Sequence, residues 1–239
     1  VAKSKDRTPI VNICYMTKKY IKKILAARVY DVAIETPLEV SKTLSSRLNN
    51  KVLLKREDLQ SVFSFKLRGA YNRIYQLSKQ KHLKGVIAAS AGNHAQGVAL
   101  SANRLGIKAT IVMPRTTPDI KVKAVKSYGA KIVLIGDTYD DAYKYAVDLG
   151  KKLKLEFIHP YEDVDVIAGQ GTIGMEILRQ YGEKIDAVFV PVGGGGLIAG
   201  IGAYVKYLRP ETKIIGVEPE DAACMAEAFK KNRRVILDH

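Results

Sequence analysis

Apolar and polar positions along the chain follow two alternating rhythms. Short runs rich in Val and Ile recur at Val52–Lys55, Gly85–Ala89, Ala109–Met113, Lys131–Ile135, Glu156–Ile158, Ala187–Val192 and Lys213–Val217. They have the length and composition of buried parallel strands. Between them the apolar spacing is three and four. Leu67, Ala70, Tyr71, Ile74 and Leu77 would form one buried helical stripe. Val98, Ala99, Ala102 and Leu105 would form another, stopped by Gly106. Asp137 or Thr138 is placed to cap a helix carrying Ala142, Tyr145 and Leu149. Strand and helix alternating in this way predict an α/β fold with mostly parallel sheet. No Pro/Gly/Ser linker, repeat or low-complexity segment interrupts the alternation.

Composition narrows the picture. The chain has 239 residues, 47% hydrophobic and 26% charged, ordinary values for a globular protein with a real core. No apolar run approaches bilayer length, and no secretory signal opens the chain, so no membrane partner is expected. The chain starts with Val1, which leaves room for a removed start residue or leader. Lys18, Lys19, Lys22 and Lys23 read as the solvated face of a helix over Tyr20–Ala33, the alternative being the tail of a transit peptide. Net charge is +15. The basic residues are scattered, however, and the densest cluster, Lys230, Lys231, Arg233 and Arg234, has no interleaved aromatics. Nucleic acid is therefore not an expected partner. Cys14 and Cys224 are far apart in sequence, which suggests a reducing compartment, the cytoplasm, without a disulfide framework. The four histidines show no zinc spacing, and no metal is expected.

In parallel α/β sheets ligands bind beyond the carboxyl ends of the strands, and three such loops stand out. The first runs Ser64-Phe65-Lys66-Leu67-Arg68-Gly69-Ala70. Ser64 is a good N-cap, which places Lys66 in the first helical turn, where the helix dipole opposes a cation and depresses its pKa. A depressed amine suits a Schiff-base nucleophile. Taken alone, such a lysine is more often an exposed surface residue. The second loop is Ser90-Ala91-Gly92-Asn93-His94, whose small residues gather backbone N–H groups suited to a carboxylate. Asn93 could equally be a turn residue, and His94 reads as a locally satisfied first-turn residue. The third is Gly193-Gly194-Gly195-Gly196-Leu197. Four glycines at a strand-to-helix junction can converge N–H groups on a phosphate, and a structural turn needs fewer. A rival reading takes Gly194, Gly196 and Ala199 as a dinucleotide fingerprint, with Glu218 as the ribose-binding acid.

Together the three loops resemble the fold-type II pyridoxal-phosphate enzymes, the tryptophan synthase beta-like group that includes the threonine and serine dehydratases. Leu54 to Gln60 with Ser64 to Ala70 is similar to the family's cofactor-lysine motif, Ser90 to Gly97 to its substrate-carboxylate loop, and Pro191 to Leu197 to its phosphate cup. Arg28 to Ala33, Thr36-Pro37-Leu38 and Leu44 to Leu48 are similar to the biosynthetic threonine dehydratases. The resemblance implies pyridoxal 5'-phosphate as cofactor and conversion of L-threonine to 2-oxobutanoate and ammonia, with L-serine a lesser substrate. It implies Lys66 as Schiff-base lysine and general base, and Gly193, Gly194, Gly195, Gly196 and Leu197 around the phosphate. Asn93 would bond the cofactor's ring oxygen, Ser90, Gly92 and Asn93 the substrate carboxylate, and Phe65 would pack on the ring or simply in the core. It further implies two subdomains, each a mostly parallel twisted sheet flanked by helices, and a homo-oligomer. Residues 57–158 would form the smaller subdomain, and 1–56 with 159–239 the larger.

Two departures from the family pattern accompany this. Ser61 stands where the family usually has proline, which costs some loop rigidity. The chain stops at His239, whereas the family's larger subdomain continues and supplies further strands and a serine for the pyridine nitrogen. A truncated product without activity is thus a third expectation, beside the lyase and the NAD-binding domain.

Overall fold

A computed structural model describes residues 10–233 and residue 235. Its first part comprises α1 (Ile10–Leu25), β1 (Leu38–Val40), α2 (Lys42–Leu48), β2 (Leu53–Lys55) and α3 (Lys66–Ser78). An alternating run follows: β3 (Val86–Ala89), α4 (Asn93–Arg104), β4 (Ala109–Met113), α5 (Asp119–Ser127), β5 (Lys131–Leu134), α6 (Tyr139–Leu153) and β6 (Glu156–Phe157). The chain then forms α7 (Val164–Gln180), β7 (Ala187–Pro191), α8 (Gly196–Leu208), β8 (Lys213–Val217) and α9 (Cys224–Lys231).

The α/β expectation holds. A four-stranded sheet has the order β5-β4-β3-β6, with every pair parallel. Its central strands β3 and β4 bury both faces, as their apolar runs require. Val86, Ala88, Ile111 and Met113 point to a core shared with α3, α4 and α5, while Ile87, Ala89 and Val112 point to a second core under α6. Thr138 caps α6 in a reciprocal capping box with Asp141. Gly106 follows α4 with φ +67°. β7 and β8 form a separate parallel pair beside α8.

Two expected elements differ. The run at Val52–Lys55 does not enter a parallel sheet. Leu53–Lys55 pairs antiparallel with Leu38–Val40, the chain returning through α2. The helix expected over Tyr20–Ala33 ends at Leu25. Beyond it, Val32 and Ala33 N–H donate locally to Val29 O, while Arg28 N–H donates to Asn72 Oδ1 (2.9 Å) and Ile34 N–H to Gln60 Oε1 (3.0 Å). Lys18, Lys19 and Lys22 do lie on the exposed face of α1, with Ile21 and Ile24 buried opposite.

The packing of three helices positions everything that follows. α7 lies between α3 and α8 at unusually close range. A Cβ on Gly169 would stand 2.6 Å from the Arg68 carbonyl oxygen, and one on Gly200 2.6 Å from the Gly171 nitrogen. Glycine at these contacts lets backbones touch. α3 begins with Lys66 and α8 begins with the glycine turn, so α7 spaces the two sites that the sequence singles out.

A buried charge cluster locks α3 to α7. Arg68 and Glu176 are both fully buried and paired at 2.5 and 3.0 Å, and Arg68 also pairs with Glu57 at 2.7 Å. Lys55 reaches Glu176 at 2.6 Å, and the Tyr30 hydroxyl donates to it at 2.8 Å. Two cations thus face two carboxylates, the pairing that buried charge demands.

Candidate functional site

Lys66 is the first residue of α3, as its sequence position suggests, but Ser64 does not cap the helix. Phe65 takes the N-cap position with helical φ/ψ, and no side chain caps it. Ser64 Oγ is buried without a hydrogen-bond partner. The approach to Lys66 alternates: Gln60, Val62 and Ser64 point inward, while Ser61 and Phe63 point out. Phe63 turns the chain through φ +54°. This alternation brings Phe65 against the apolar cluster of Ile173, Ile177, Val190, Ile201 and Val205, which Leu197 also joins.

The Lys66 amine donates to the carbonyl of Pro160 at 3.2 Å and lies 5.3 Å from the centre of the Phe65 ring. Its pKa lies below the ordinary lysine value because burial disfavours the charged amine.

The second loop lies beside it. A Cβ on Gly97 would stand 3.1 Å from the Leu67 nitrogen, so α4 meets the first turn of α3 backbone to backbone. Ser90 N–H donates to Val112 O, and Ser90 Oγ accepts from Gly92 N–H at 3.2 Å. Asn93 opens α4 with its side chain exposed. His94 is buried, and its partner is not local: Nε2 is 2.9 Å from the Ile158 carbonyl. Burial first, and then the positive charge of Lys66, push the imidazole down to about 4. The ring is neutral at neutral pH, and because a carbonyl only accepts, Nε2 carries the proton.

The glycine turn meets the same short segment. A Cβ on Gly196 would stand 2.8 Å from the Tyr161 carbonyl oxygen. Pro160, its neighbour, accepts the Lys66 amine. Gly195 takes φ +86° as N-cap of α8, a conformation that side chains rarely adopt. Nothing lies within 4 Å of a Cβ on Gly193. Lys66, the Ser90–His94 loop and the glycine turn therefore converge on Ile158 to Tyr161. Sequence reading missed this segment, which carries no motif of its own. The signal available was the position of Pro160 just after strand β6.

The arrangement fits the aldehyde and phosphate of the cofactor that the resemblance implies. An amine depressed by burial, with no carboxylate paired to it among the described residues, can attack an aldehyde carbon. The N-terminus of a thirteen-residue helix, opened by glycines, offers N–H groups to a phosphate. The unpartnered Ser64 Oγ adds a spare buried polar group two residues before Lys66. The dinucleotide reading loses its acid. Both carboxylate oxygens of Glu218 accept backbone N–H groups at the start of α9, from Met225 and Ala226 at 2.9 Å each.

Comparison with known proteins agrees. The model of the family described as pyridoxal-phosphate dependent enzyme matches residues 29–239. The L-threonine dehydratase biosynthetic IlvA of Burkholderia multivorans is 57% identical over 221 residues, covering 91% of this chain and 44% of that protein. The chloroplastic biosynthetic threonine dehydratase of Arabidopsis thaliana is 59% identical over 220 residues, covering 92% and 37%. The solved structure of the processed form of threonine deaminase isoform 2 from Solanum lycopersicum matches with a TM-score of 0.91 at 54% identity, covering 94% of this chain and 65% of that one. The chain thus spans less than half the length of these curated relatives.

Proposed function

Since the chain belongs to the pyridoxal-phosphate dependent enzyme family, we propose that it carries the cofactor site of a threonine ammonia-lyase, converting L-threonine to 2-oxobutanoate and ammonia, with L-serine to pyruvate as a side reaction. The observation that carries this reading is the meeting of the Lys66 amine and the glycine turn on two consecutive residues, Pro160 and Tyr161.

When bound, pyridoxal phosphate supplies the sink for the electron pair left at the substrate Cα. Lys66 Nζ would hold the cofactor through its aldehyde carbon and would serve as the base for the Cα proton. The burial that lowers its pKa favours the neutral amine that step needs. The Pro160 carbonyl orients Nζ. Neutral His94 adds no competing proton or positive charge beside it. Gly193, Gly194, Gly195, Gly196 and Leu197 would hold the phosphate through backbone N–H groups. Asn93 would bond the ring oxygen, Ser90, Gly92 and Asn93 would hold the substrate carboxylate, and Phe65 would flank the ring. Loss of the β-hydroxyl as water and hydrolysis of the resulting enamine leave the net balance of one keto acid and one ammonia.

Two subdomains accompany this reading, residues 57–158 around the four-stranded sheet and residues 1–56 with 159–239 around β7 and β8. The four-stranded sheet has apolar clusters of its own, which support the division, while Phe65 and the cluster of Val29, Ala33, Val62 and Leu67 pack across it. Among the described residues no helix is long and apolar enough to cross a membrane. A homo-oligomer in the cytoplasm is part of the proposal, with an organelle interior suggested by the names of the plant relatives.

The test is chemical. The chain mixed with pyridoxal phosphate should develop a visible band. Borohydride should remove that band and leave a stable mass label on Lys66. Lys66→Ala should show neither, and release of 2-oxobutanoate from threonine is read separately. A label distributed over surface lysines would overturn the reading.

A further inference from the structure

The four glycines of the turn are not equivalent, and the protein itself requires three of them. Gly195 needs its positive φ, and a Cβ there would also stand 2.7 Å from Met225 Cε. A Cβ on Gly196 would meet the Tyr161 backbone, with the carbonyl oxygen at 2.8 Å and Cα at 2.9 Å. A Cβ on Gly194 would clash with the Tyr161 ring at Cδ1, Cγ and Cε1. Only at Gly193 would a side chain meet open space. Two of the three constraints therefore come from one residue.

Tyr161 is itself held from the other side. Its ring meets His159 edge-on, with centroids 4.6 Å apart. His159 is 6.2 Å from Phe157, Phe157 is 5.5 Å from Tyr143, and Tyr143 is 6.0 Å from Tyr139. The run of rings leads from α6, on the four-stranded sheet, to the glycine turn ahead of α8. At its inner edge Pro160 holds the Lys66 amine.

We propose that Tyr161 is a positioning residue for the cofactor site: its ring seats the glycine turn at a set distance from Lys66 and so aligns the turn's N–H groups with the phosphate of a cofactor bonded to that lysine. The inference rests on the lyase reading for the cofactor but not for the substrate. The ring acts by shape, since its contact with Gly194 is through ring carbons. The hydroxyl is dispensable. Removing the ring leaves the turn free to shift, which weakens the grip on the phosphate and leaves the amine chemistry of Lys66 as it was.

The experiment compares pyridoxal phosphate with pyridoxal, which has the aldehyde without the phosphate. Both are titrated into the wild-type chain and into Tyr161→Ala, Tyr161→Phe, Gly194→Ala and the double variant Gly194→Ala/Tyr161→Ala, with thermal melts of each. Tyr161→Ala should weaken pyridoxal phosphate about tenfold or more and change pyridoxal less than about threefold. Tyr161→Phe should bind as wild type does. Gly194→Ala should be weak alone and should regain affinity in the double variant, because the new methyl then occupies space the ring has left. Should Tyr161→Ala fail to fold, Tyr161→Leu replaces it in both arms. Equal weakening of both aldehydes, or a double variant as weak as the sum of its parts, overturns the proposal. A wild-type chain that binds neither aldehyde overturns the cofactor reading with it, whereas normal wild-type binding with an unaffected Tyr161→Ala overturns this proposal alone.

Discussion

The buried charge cluster offers a sharp test of how the lysine-bearing helix is held. In Glu176→Gln the side-chain shape is kept and one negative charge is lost. Glu176 Oε1 accepts from Arg68 Nη1 and from the Tyr30 hydroxyl, and Oε2 accepts from Arg68 Nη2 and Lys55. A glutamine can keep only one oxygen, so its NH₂ must face either Tyr30 and Nη1 or Lys55 and Nη2, donor against donor. Arg68 and Lys55 would then share Glu57 as the remaining carboxylate, at a site where Arg68 and Glu176 have no exposed surface. Breaking a buried pair in this way costs about 3–5 kcal/mol. Urea unfolding followed by circular dichroism, at neutral pH and on descending pH, reads the loss. Burial alone would raise the Glu176 pKa, but its hydrogen bonds to Arg68, Lys55 and Tyr30 outweigh burial and hold it below the ordinary value. The wild-type contribution is therefore full above the unfolded value of 4.5 and is lost as pH falls through the lower folded value. Glu176→Gln should lack that acid-dependent part. A loss under about 1 kcal/mol at neutral pH would refute the argument, because it would mean that water already screens the cluster.

Three further outcomes follow from the same geometry. Gly193→Ala adds a methyl in open space, so thermal stability should stay within about 1 kcal/mol of wild type. The backbone N–H is kept, so any weakening of pyridoxal phosphate comes from the methyl occupying the phosphate's space; a loss of about tenfold is expected, and unchanged affinity would place the phosphate away from Gly193. The pH dependence of Lys66 acylation, read by mass spectrometry on the cofactor-free chain, should show a midpoint below 10.5, and a midpoint at or above that value would contradict the burial argument. His94 sits at about 4 in the folded chain against 6.5 unfolded, so its contribution is present above pH 6.5 and disappears toward pH 4. That amounts to about 3 kcal/mol, and His94→Gln should flatten the corresponding slope of stability against pH.

Much of the fold was legible because strand and helix write different periods into the chain. Ala109–Met113 and Lys213–Val217 end where their apolar runs end, and the stripe from Leu67 to Leu77 is buried at every position. Local chemistry was legible too: Thr138 caps α6, and Gly106 stops α4. Readings failed where a distant partner took over a local group. Ser64 has the chemistry of a cap, but the inward alternation from Gln60 to Ser64 turns its hydroxyl into the interior. Arg28 and Ile34 leave the helical ladder because Asn72 and Gln60 offer better-placed acceptors. Glu218 has the spacing of a ribose-binding acid but caps a following helix.

By itself the sequence determined the α/β alternation, the lysine at a helix start and the glycine turn, because each depends on residues close together in the chain. Only the tertiary structure decided what lies between them. The parallel pairing of β6 with β3 sets the loops after both strands side by side, so Pro160 and Tyr161 arrive beside Lys66 from 94 positions away. The close packing of α7 against α3 and α8 then sets the span from amine to glycine turn. Such contacts depend on which backbones approach within touching distance, and that is a property of the whole packed core rather than of any stretch of residues.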